Sequence, residues 1–174
     1  AMAEVCPERG GTVTRFSVPG KDVLYLNEET LRDPSHNVWG GIPILFPICS
    51  YLTDERYTLG DKTYHMPIHG FARHLPWQVA DQSEDGAASL TVTLRDSALT
   101  QFMYPFAFRV SITYRLQGAR LSLLQRYENL SDTPMPIQYG FHPFFSVSVK
   151  DASLLYRTDA TGVTDMRDWQ TRPF

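Results

Sequence analysis

The clearest pattern along the chain is an alternation of apolar and polar residues. Apolar side chains recur at every second position from Phe106 to Leu116, with Ala, Arg, Ser or Thr between them. A period of two is typical of a β-strand with one buried face and one wet face. Gln117 and Gly118 then form a turn signal, and the alternation continues over 121–127. This pattern predicts an antiparallel hairpin.

Other segments repeat the same pattern on a shorter scale. Leu90, Val92 and Leu94 alternate with Thr and Arg, and they predict a third strand. One helical turn is predicted over 97–103. Further short strand candidates lie at 12–18, 23–26, 56–65, 136–142, 144–149 and 153–157. Because strands follow one another with turn signals and few helices between them, we predict an all-β antiparallel sandwich or barrel in one domain, residues 1–174.

Composition narrows the class of protein. The 174 residues are 43% hydrophobic and 20% charged, which excludes a disordered tail, and a chain of this length can bury a core without disulfides or metal. The densest apolar stretch, 42–49, is too short for a membrane helix, so we expect no membrane contact. A net charge of −3 gives no basic footprint for nucleic acid. Two cysteines and the lack of a visible signal peptide predict a cytoplasmic protein.

Two segments depart from the strand-and-turn pattern. Residues 37–47 combine paired glycines with two prolines in an apolar stretch, and a buried edge segment with turns would explain them. Residues 66–74 place His69 directly before Gly70, and Arg73 follows four positions after the histidine. A polar pair on a glycine-containing loop is where binding groups tend to lie. Taken alone, the second segment is better explained as a surface loop with an incidental histidine.

A third segment, residues 138–145, surrounds His142 with aromatic side chains. A histidine in an apolar strand is often a hydrogen-bonded core residue. Aromatic rings beside a histidine also suit a sugar site, because flat apolar sugar faces pack on rings and imidazole exchanges a proton near neutral pH. His65, His69 and His74 have spacings that suggest zinc. We nevertheless expect no metal, because a proline and a glycine between them break the helix that such a chelate needs.

Together, these segments resemble the aldose 1-epimerase (galactose mutarotase-like) superfamily. The similarity lies in residues 40–47 (GGIPILFP), 69–73 (HGFAR) and 140–145 (GFHPFF), in this order along the chain. It is greatest to the bacterial branch that includes the hexose-6-phosphate 1-epimerases, and it extends over essentially the whole chain. The resemblance implies a galactose mutarotase-like β-sandwich, or supersandwich, with a sugar site in a cleft on one sheet. It also implies interconversion of the α and β anomers of an aldose without a cofactor.

The resemblance further implies roles for individual side chains. His142 would be the general acid at the sugar ring oxygen, and His69 would hydrogen-bond the sugar near that oxygen. Arg73 would bind a hydroxyl or a phosphate, and Phe46 and Phe71 would form walls of the cleft. The expected partner is therefore a small-molecule sugar, an aldose with or without a phosphate group.

Two departures from the family pattern bear on the expected activity. Trp39 stands where the sugar-phosphate epimerases commonly have an arginine, which favours a neutral aldose. The family's catalytic base is a glutamate near the C-terminus, and we expect the part of the sandwich that carries it to lie beyond Phe174. No residue of the chain is assigned as the base. Three functions stay open: an aldose 1-epimerase, a non-catalytic sugar-binding module of the same fold, or a hexose-6-phosphate 1-epimerase.

Overall fold

In a computed structural model of the chain, residues 1–147, 159–165, 168 and 170–173 are described. Most regular structure in these residues is β-strand, and every pairing between the strands named below is antiparallel. Strands β1 to β13 are Met2–Cys6, Thr12–Val18, Lys21–Asp22, Ile44–Leu45, Arg56–Leu59, Lys62–His65, Gln78–Ser83, Ala88–Arg95, Phe108–Gln117, Arg120–Asn129, Gly140–Phe141, Gly162–Asp165 and Gln170–Pro173. The α-helices α1 and α2 are Glu28–Arg32 and Ala98–Met103, and short 3₁₀ helices lie at Pro7–Arg9, Thr53–Glu55 and Ala72–His74. The antiparallel all-β prediction is confirmed.

The largest sheet has the strand order β10-β9-β8-β7. It contains the predicted hairpin of β9, an inner strand, and β10, an edge strand, in which Phe108 pairs with Asn129 and Gln117 pairs with Arg120. Strand β9 alternates strictly, with one set of side chains buried and the set between them less buried. The sequence pattern therefore identified both the strand and the face that it buries.

The hydrophobic core lies on the buried face of this sheet. Phe46 sits in its middle and contacts the rings of Phe71, Tyr104, Phe108 and Tyr127 at centroid distances of 5.1–6.0 Å. Burying a side chain of this size stabilises a fold by roughly 1.5–3 kcal/mol. The core therefore fixes the backbone around Phe46 and around Phe71, which belong to two of the three segments singled out from the sequence.

The shorter predicted strands have mixed outcomes. The candidates at 12–18 and around Leu90 are strands β2 and β8, as predicted. The candidate at 56–65 is a hairpin of β5 and β6, because the chain turns at Gly60, where φ is +58°. Only two residues of the candidate at 136–142 form a strand, β11.

Two other candidates contribute isolated bridges. In the described parts of the candidates at 23–26 and 144–149, Leu24 forms a bridge with Phe145, and Leu26 forms a bridge with Gly40. The candidate at 153–157, together with residues 148 and 149, lies outside the described residues.

The two helices begin at side-chain caps. Ser97 and Thr100 form a capping box at the start of α2, where the sequence predicted a helical turn. Helix α1 was not predicted, and Asn27 caps it by accepting a hydrogen bond from the Thr30 N–H at 3.0 Å. Across the described ranges, neither helix approaches the length and apolar character that a membrane crossing requires.

Candidate functional site

Two of the three motif segments meet at Phe46. Its carbonyl oxygen accepts hydrogen bonds from the N–H groups of Phe71 and Ala72, at 3.1 and 3.2 Å. Gly70 forms a parallel bridge with Phe46 and has a φ of +72°. A Cβ atom at position 70 would collide with the Phe46 carbonyl, so glycine meets both a conformational and a steric requirement here. The loop that carries His69 is thereby attached to the core.

The third segment joins on the other side of the same strand. Strand β11 pairs with β4, so that Phe141 lies opposite Ile44. Beyond this pair, the His142 N–H donates to the Pro43 carbonyl at 3.1 Å, and the Phe144 N–H donates to the Gly41 carbonyl at 2.9 Å. The three segments that are far apart in sequence therefore form one continuous surface.

His69 is held in an uncommon backbone conformation. Its φ is +64°, in the left-handed region, and its N–H donates to the Ser50 carbonyl at 2.7 Å. The Ser50 N–H in turn donates to Nδ1 of the His69 ring at 2.9 Å. Since an amide N–H can only donate, Nδ1 must be the acceptor, and in the neutral ring the proton is on Nε2. His69 is therefore oriented as a neutral Nε2–H donor.

The surroundings of His69 also oppose its protonation. Partial burial lowers the pKa of the ring, and the charge of Arg73 and the neighbouring His142 lower it further. The hydrogen bond from Ser50 acts in the same direction, because protonation at Nδ1 would replace an acceptor with a second donor. At neutral pH, His69 is a donor and not a proton carrier.

His142 lies next to His69. The two ring centroids are 5.7 Å apart and the ring planes meet at 67°. The His142 ring also stacks on Phe144, with the centroids 4.8 Å apart and the planes at 29°. The His142 side chain is exposed, so it is accessible to a molecule that approaches from solvent. The structure therefore brings together the two histidines that the sequence singled out.

Arg73 lies on the 3₁₀ helix that follows His69. Its Nη2 donates to the Ile68 carbonyl at 3.1 Å, and its Nε donates to Nε2 of His74 at 3.2 Å. These bonds use two of the five N–H groups of the guanidinium, and the other three make no hydrogen bond to the part of the chain that the structure describes. Burial lowers the pKa of Arg73 below its ordinary value, but the residue stays charged at neutral pH.

Phe46 and Phe71 do not line an open cleft. Phe46 is 0% exposed and Phe71 is 2% exposed, and their rings contact one another edge to face inside the core. This differs from the prediction that they form walls around a sugar. The physical reason is that both rings pack against Tyr104 and Phe108 in the core. They support the site from behind.

No sequence pattern points to Ser50, and none assigns a role to Phe144. Ser50 is 19 residues from His69 and belongs to none of the motif segments, so no local signal could reveal its contact. Phe144 stands in the quoted motif of the third segment, yet only the structure shows that it stacks on His142.

Comparison with known proteins identifies the family. The sequence profile of aldose 1-epimerases matches residues 1–171. The chain belongs to the aldose 1-epimerase family. Three relatives illustrate its place in that family. It is 38% identical to the solved structure of the Slr1438 protein from Synechocystis sp. PCC 6803, with a TM-score of 0.93 over 99% of this chain and 59% of that one.

The other two relatives have lower sequence identity to this chain. A galactose mutarotase related enzyme from Lactobacillus acidophilus is 27% identical, with a TM-score of 0.74 over 87% of this chain and 48% of that one. A Salmonella typhimurium protein provisionally named glucose-6-phosphate 1-epimerase is 26% identical over 152 residues, which is 80% of this chain and 49% of that protein. The chain spans about half the length of the curated relatives that it matches. These likenesses confirm the galactose mutarotase-like β-sandwich.

Proposed function

We propose that this chain carries the general acid and the sugar-binding groups of an aldose 1-epimerase, which interconverts the α and β anomers of an aldose. The observation that carries the proposal is the pair His69 and His142, with ring centroids 5.7 Å apart and with the tautomer of His69 fixed by Ser50. Family membership supports the same reaction class.

In the proposed reaction, His142 acts as the general acid. Its imidazolium donates a proton to the sugar ring oxygen while a carboxylate removes the proton from the anomeric hydroxyl. The bond between C1 and the ring oxygen then breaks, which leaves an open-chain aldehyde. Rotation about the C1–C2 bond and reclosure, with the two proton transfers reversed, gives the other anomer. The reaction requires only proton transfers, and the carboxylate base is not assigned to a residue of this chain.

His69 is proposed to bind the sugar without competing for the proton. Its Nε2–H donates a hydrogen bond near the ring oxygen, and its lowered pKa keeps it neutral. A neutral His69 therefore adds no positive charge beside the ring that is proposed to transfer the proton. One ring is thus assigned to donation of a hydrogen bond and the other to proton transfer.

Arg73 is proposed to bind a sugar hydroxyl. Its guanidinium is anchored through Ile68 and His74, and the remaining N–H groups form a fork of donors. A group anchored in this way loses little further freedom when a ligand binds, which favours affinity.

Polarimetry tests the proposal directly. The optical rotation of freshly dissolved α-D-glucose and α-D-galactose should reach equilibrium faster with the natural full-length protein than without it, and His142→Gln should remove the acceleration. If folded protein at micromolar concentration accelerates none of a panel of aldoses, the proposal is wrong. Calorimetric sugar binding without acceleration would instead indicate a sugar-binding module.

The name of the Salmonella typhimurium relative favours a second candidate, a hexose-6-phosphate 1-epimerase. In that case a hexose 6-phosphate should bind at least tenfold more tightly than the free hexose, and Arg73→Ala should remove most of the preference. Equal or weaker binding of the phosphate would exclude this candidate.

A further inference from the structure

An exposed tryptophan lies at the edge of the histidine pair. Trp39 is 61% exposed, although indole is among the most apolar of side chains. Backbone pairing places it beside a second exposed ring, because the Asn27 N–H donates to the Trp39 carbonyl at 2.8 Å and the Gly41 N–H donates to the Tyr25 carbonyl at 2.7 Å. In this register Tyr25 and Trp39 are on the same face of the pairing.

Phe144 continues this surface to the active histidine. The Tyr25 N–H donates to the Phe144 carbonyl at 2.9 Å, and the Phe144 N–H donates to the Gly41 carbonyl at 2.9 Å, so backbone hydrogen bonds join the segments of Tyr25, Trp39 and Phe144 directly. The rings of Trp39 and Phe144 meet edge to face at 6.3 Å and 63°. Phe144 then stacks on His142 at 4.8 Å. We call the surface of Tyr25, Trp39 and Phe144 the aromatic shelf.

The backbone of the aromatic shelf is held in place before any ligand binds. The Trp39 N–H donates to the Thr30 hydroxyl at 3.0 Å, on the helix that Asn27 caps. Gly40, the next residue, forms a bridge with Leu26. A tryptophan has only two side-chain torsions, so a fixed backbone leaves little freedom to lose on binding. A single exposed apolar residue needs no explanation, whereas a preorganised group of rings beside a reactive histidine does.

We propose that the aromatic shelf binds the C–H face of the substrate sugar and selects an uncharged pyranose. This inference rests on the proposed function, because it places the sugar against His142. Each ring presents its negative π face or its apolar edge, and none of the three side chains carries a charge. Weakly positive C–H groups of a pyranose pack favourably on such a face, and an anionic group is repelled by it. Trp39 is a specificity-determining residue in this assignment.

Titration calorimetry with D-glucose, glucose 6-phosphate and sorbitol tests the shelf. D-glucose supplies a flat uncharged ring, glucose 6-phosphate adds a negative charge, and sorbitol has the hydroxyls without the ring. We expect D-glucose to bind best. Trp39→Ala should weaken D-glucose binding about tenfold, and Trp39→Phe should restore it to within about threefold. Trp39→Arg should reverse the preference in favour of glucose 6-phosphate.

The matched control is Phe102→Ala. Phe102 is 81% exposed, on helix α2, and is not part of the shelf. Its variant should bind D-glucose as the unsubstituted protein does, and thermal unfolding checks that each variant is folded. The shelf is overturned if folded Trp39→Ala keeps the original D-glucose affinity, or if the unsubstituted protein prefers glucose 6-phosphate or sorbitol.

The shelf and the proposed function fail in different ways. If D-glucose binding depends on Trp39 but mutarotation is not accelerated, the proposed epimerase activity is contradicted and sugar binding by the aromatic shelf is supported. If mutarotation is accelerated but Trp39→Ala binds D-glucose with unchanged affinity, sugar binding by the aromatic shelf is contradicted and the proposed epimerase activity is supported. If no aldose binds at all, both are overturned.

Discussion

The backbone of Ser50 and the ring of His69 form a reciprocal pair of hydrogen bonds. The Ser50 N–H donates to Nδ1 of His69, and the His69 N–H donates to the Ser50 carbonyl. This pair holds a non-glycine residue in the left-handed region, which costs roughly 1–2 kcal/mol for most residues. It also orients Nε2 and fixes its proton. A histidine in this position is therefore prepared for one specific contact.

Two substitutions at position 69 distinguish the contribution of His69 to stability from its contribution to sugar binding. In His69→Asn the amide oxygen can replace Nδ1 as the acceptor of the Ser50 N–H, and asparagine tolerates a positive φ. The variant should therefore unfold at a temperature close to that of the original protein, while D-glucose binding weakens about tenfold because the Nε2–H is lost.

His69→Gln is the matched comparison. Its longer amide reaches the position of Nε2 but leaves the Ser50 N–H without its acceptor. We expect a lower unfolding temperature for His69→Gln than for His69→Asn, measured by calorimetry. If the two variants are equally stable, the hydrogen bond from Ser50 contributes nothing to the conformation of this loop.

Stability should fall with decreasing pH from about 6.5. Burial, Arg73 and His142 lower the pKa of His69 in the folded protein below its ordinary value of 6.5, and burial, Arg73 and Arg9 lower that of His74 likewise. Below pH 6.5 the unfolded chain binds more protons at these sites, so acidification favours unfolding. Urea denaturation at intervals between pH 8 and pH 5 measures the effect.

The contribution of His69 to this pH dependence can be isolated. His69→Asn should be less sensitive to acidification over the same interval, because one of the two depressed histidines is gone. An unchanged dependence in His69→Asn would show that His69 titrates normally in the folded protein.

Loss of His142 should affect turnover rather than folding. A positioned general acid typically contributes a factor of 10²–10⁴ to the rate, so His142→Gln should lose at least about a hundredfold in polarimetric mutarotation. Its side chain is exposed, so the unfolding temperature should change little. Activity within threefold of the unsubstituted protein would remove His142 from the acid role.

Gly70→Ala should destabilise the protein by more than about 2 kcal/mol, because it adds a clash with the Phe46 carbonyl to the cost of a positive φ. The matched control is Gly118→Ala, on the turn between β9 and β10. Gly118 also has a positive φ, but a Cβ atom there meets nothing within 4 Å. Its cost should be limited to roughly 1–2 kcal/mol. Urea denaturation of both variants separates the conformational cost from the clash.

The sequence predicted the parts of the fold that depend on alternation. The hairpin of β9 and β10 could be recognised because its buried residues recur at every second position. Strands such as β4 and β11 could not, since each has only two residues and exists only because the other lies beside it. A pairing between distant short segments leaves no periodic signal in either one.

The same distinction applies to the site. His69, Arg73 and His142 were identified through motifs, and the structure places the two histidines in contact. Phe46 and Phe71 were misplaced because a motif shows that a ring is required without showing which way it points. The aromatic shelf was hidden for another reason: Tyr25 is distant from both Trp39 and Phe144 along the chain, and the backbone register alone brings them to one face.

The pairing of β4 with β11 joins residues 44–45 to residues 140–141, nearly one hundred positions away. Closing so long a loop is entropically costly and slow, whereas the hairpin of β9 and β10 forms from local contacts. We therefore expect the histidine pair to assemble late, after the large sheet has formed. During synthesis His69 leaves the ribosome long before His142, so the capacity to bind a sugar would report that this long-range closure is complete.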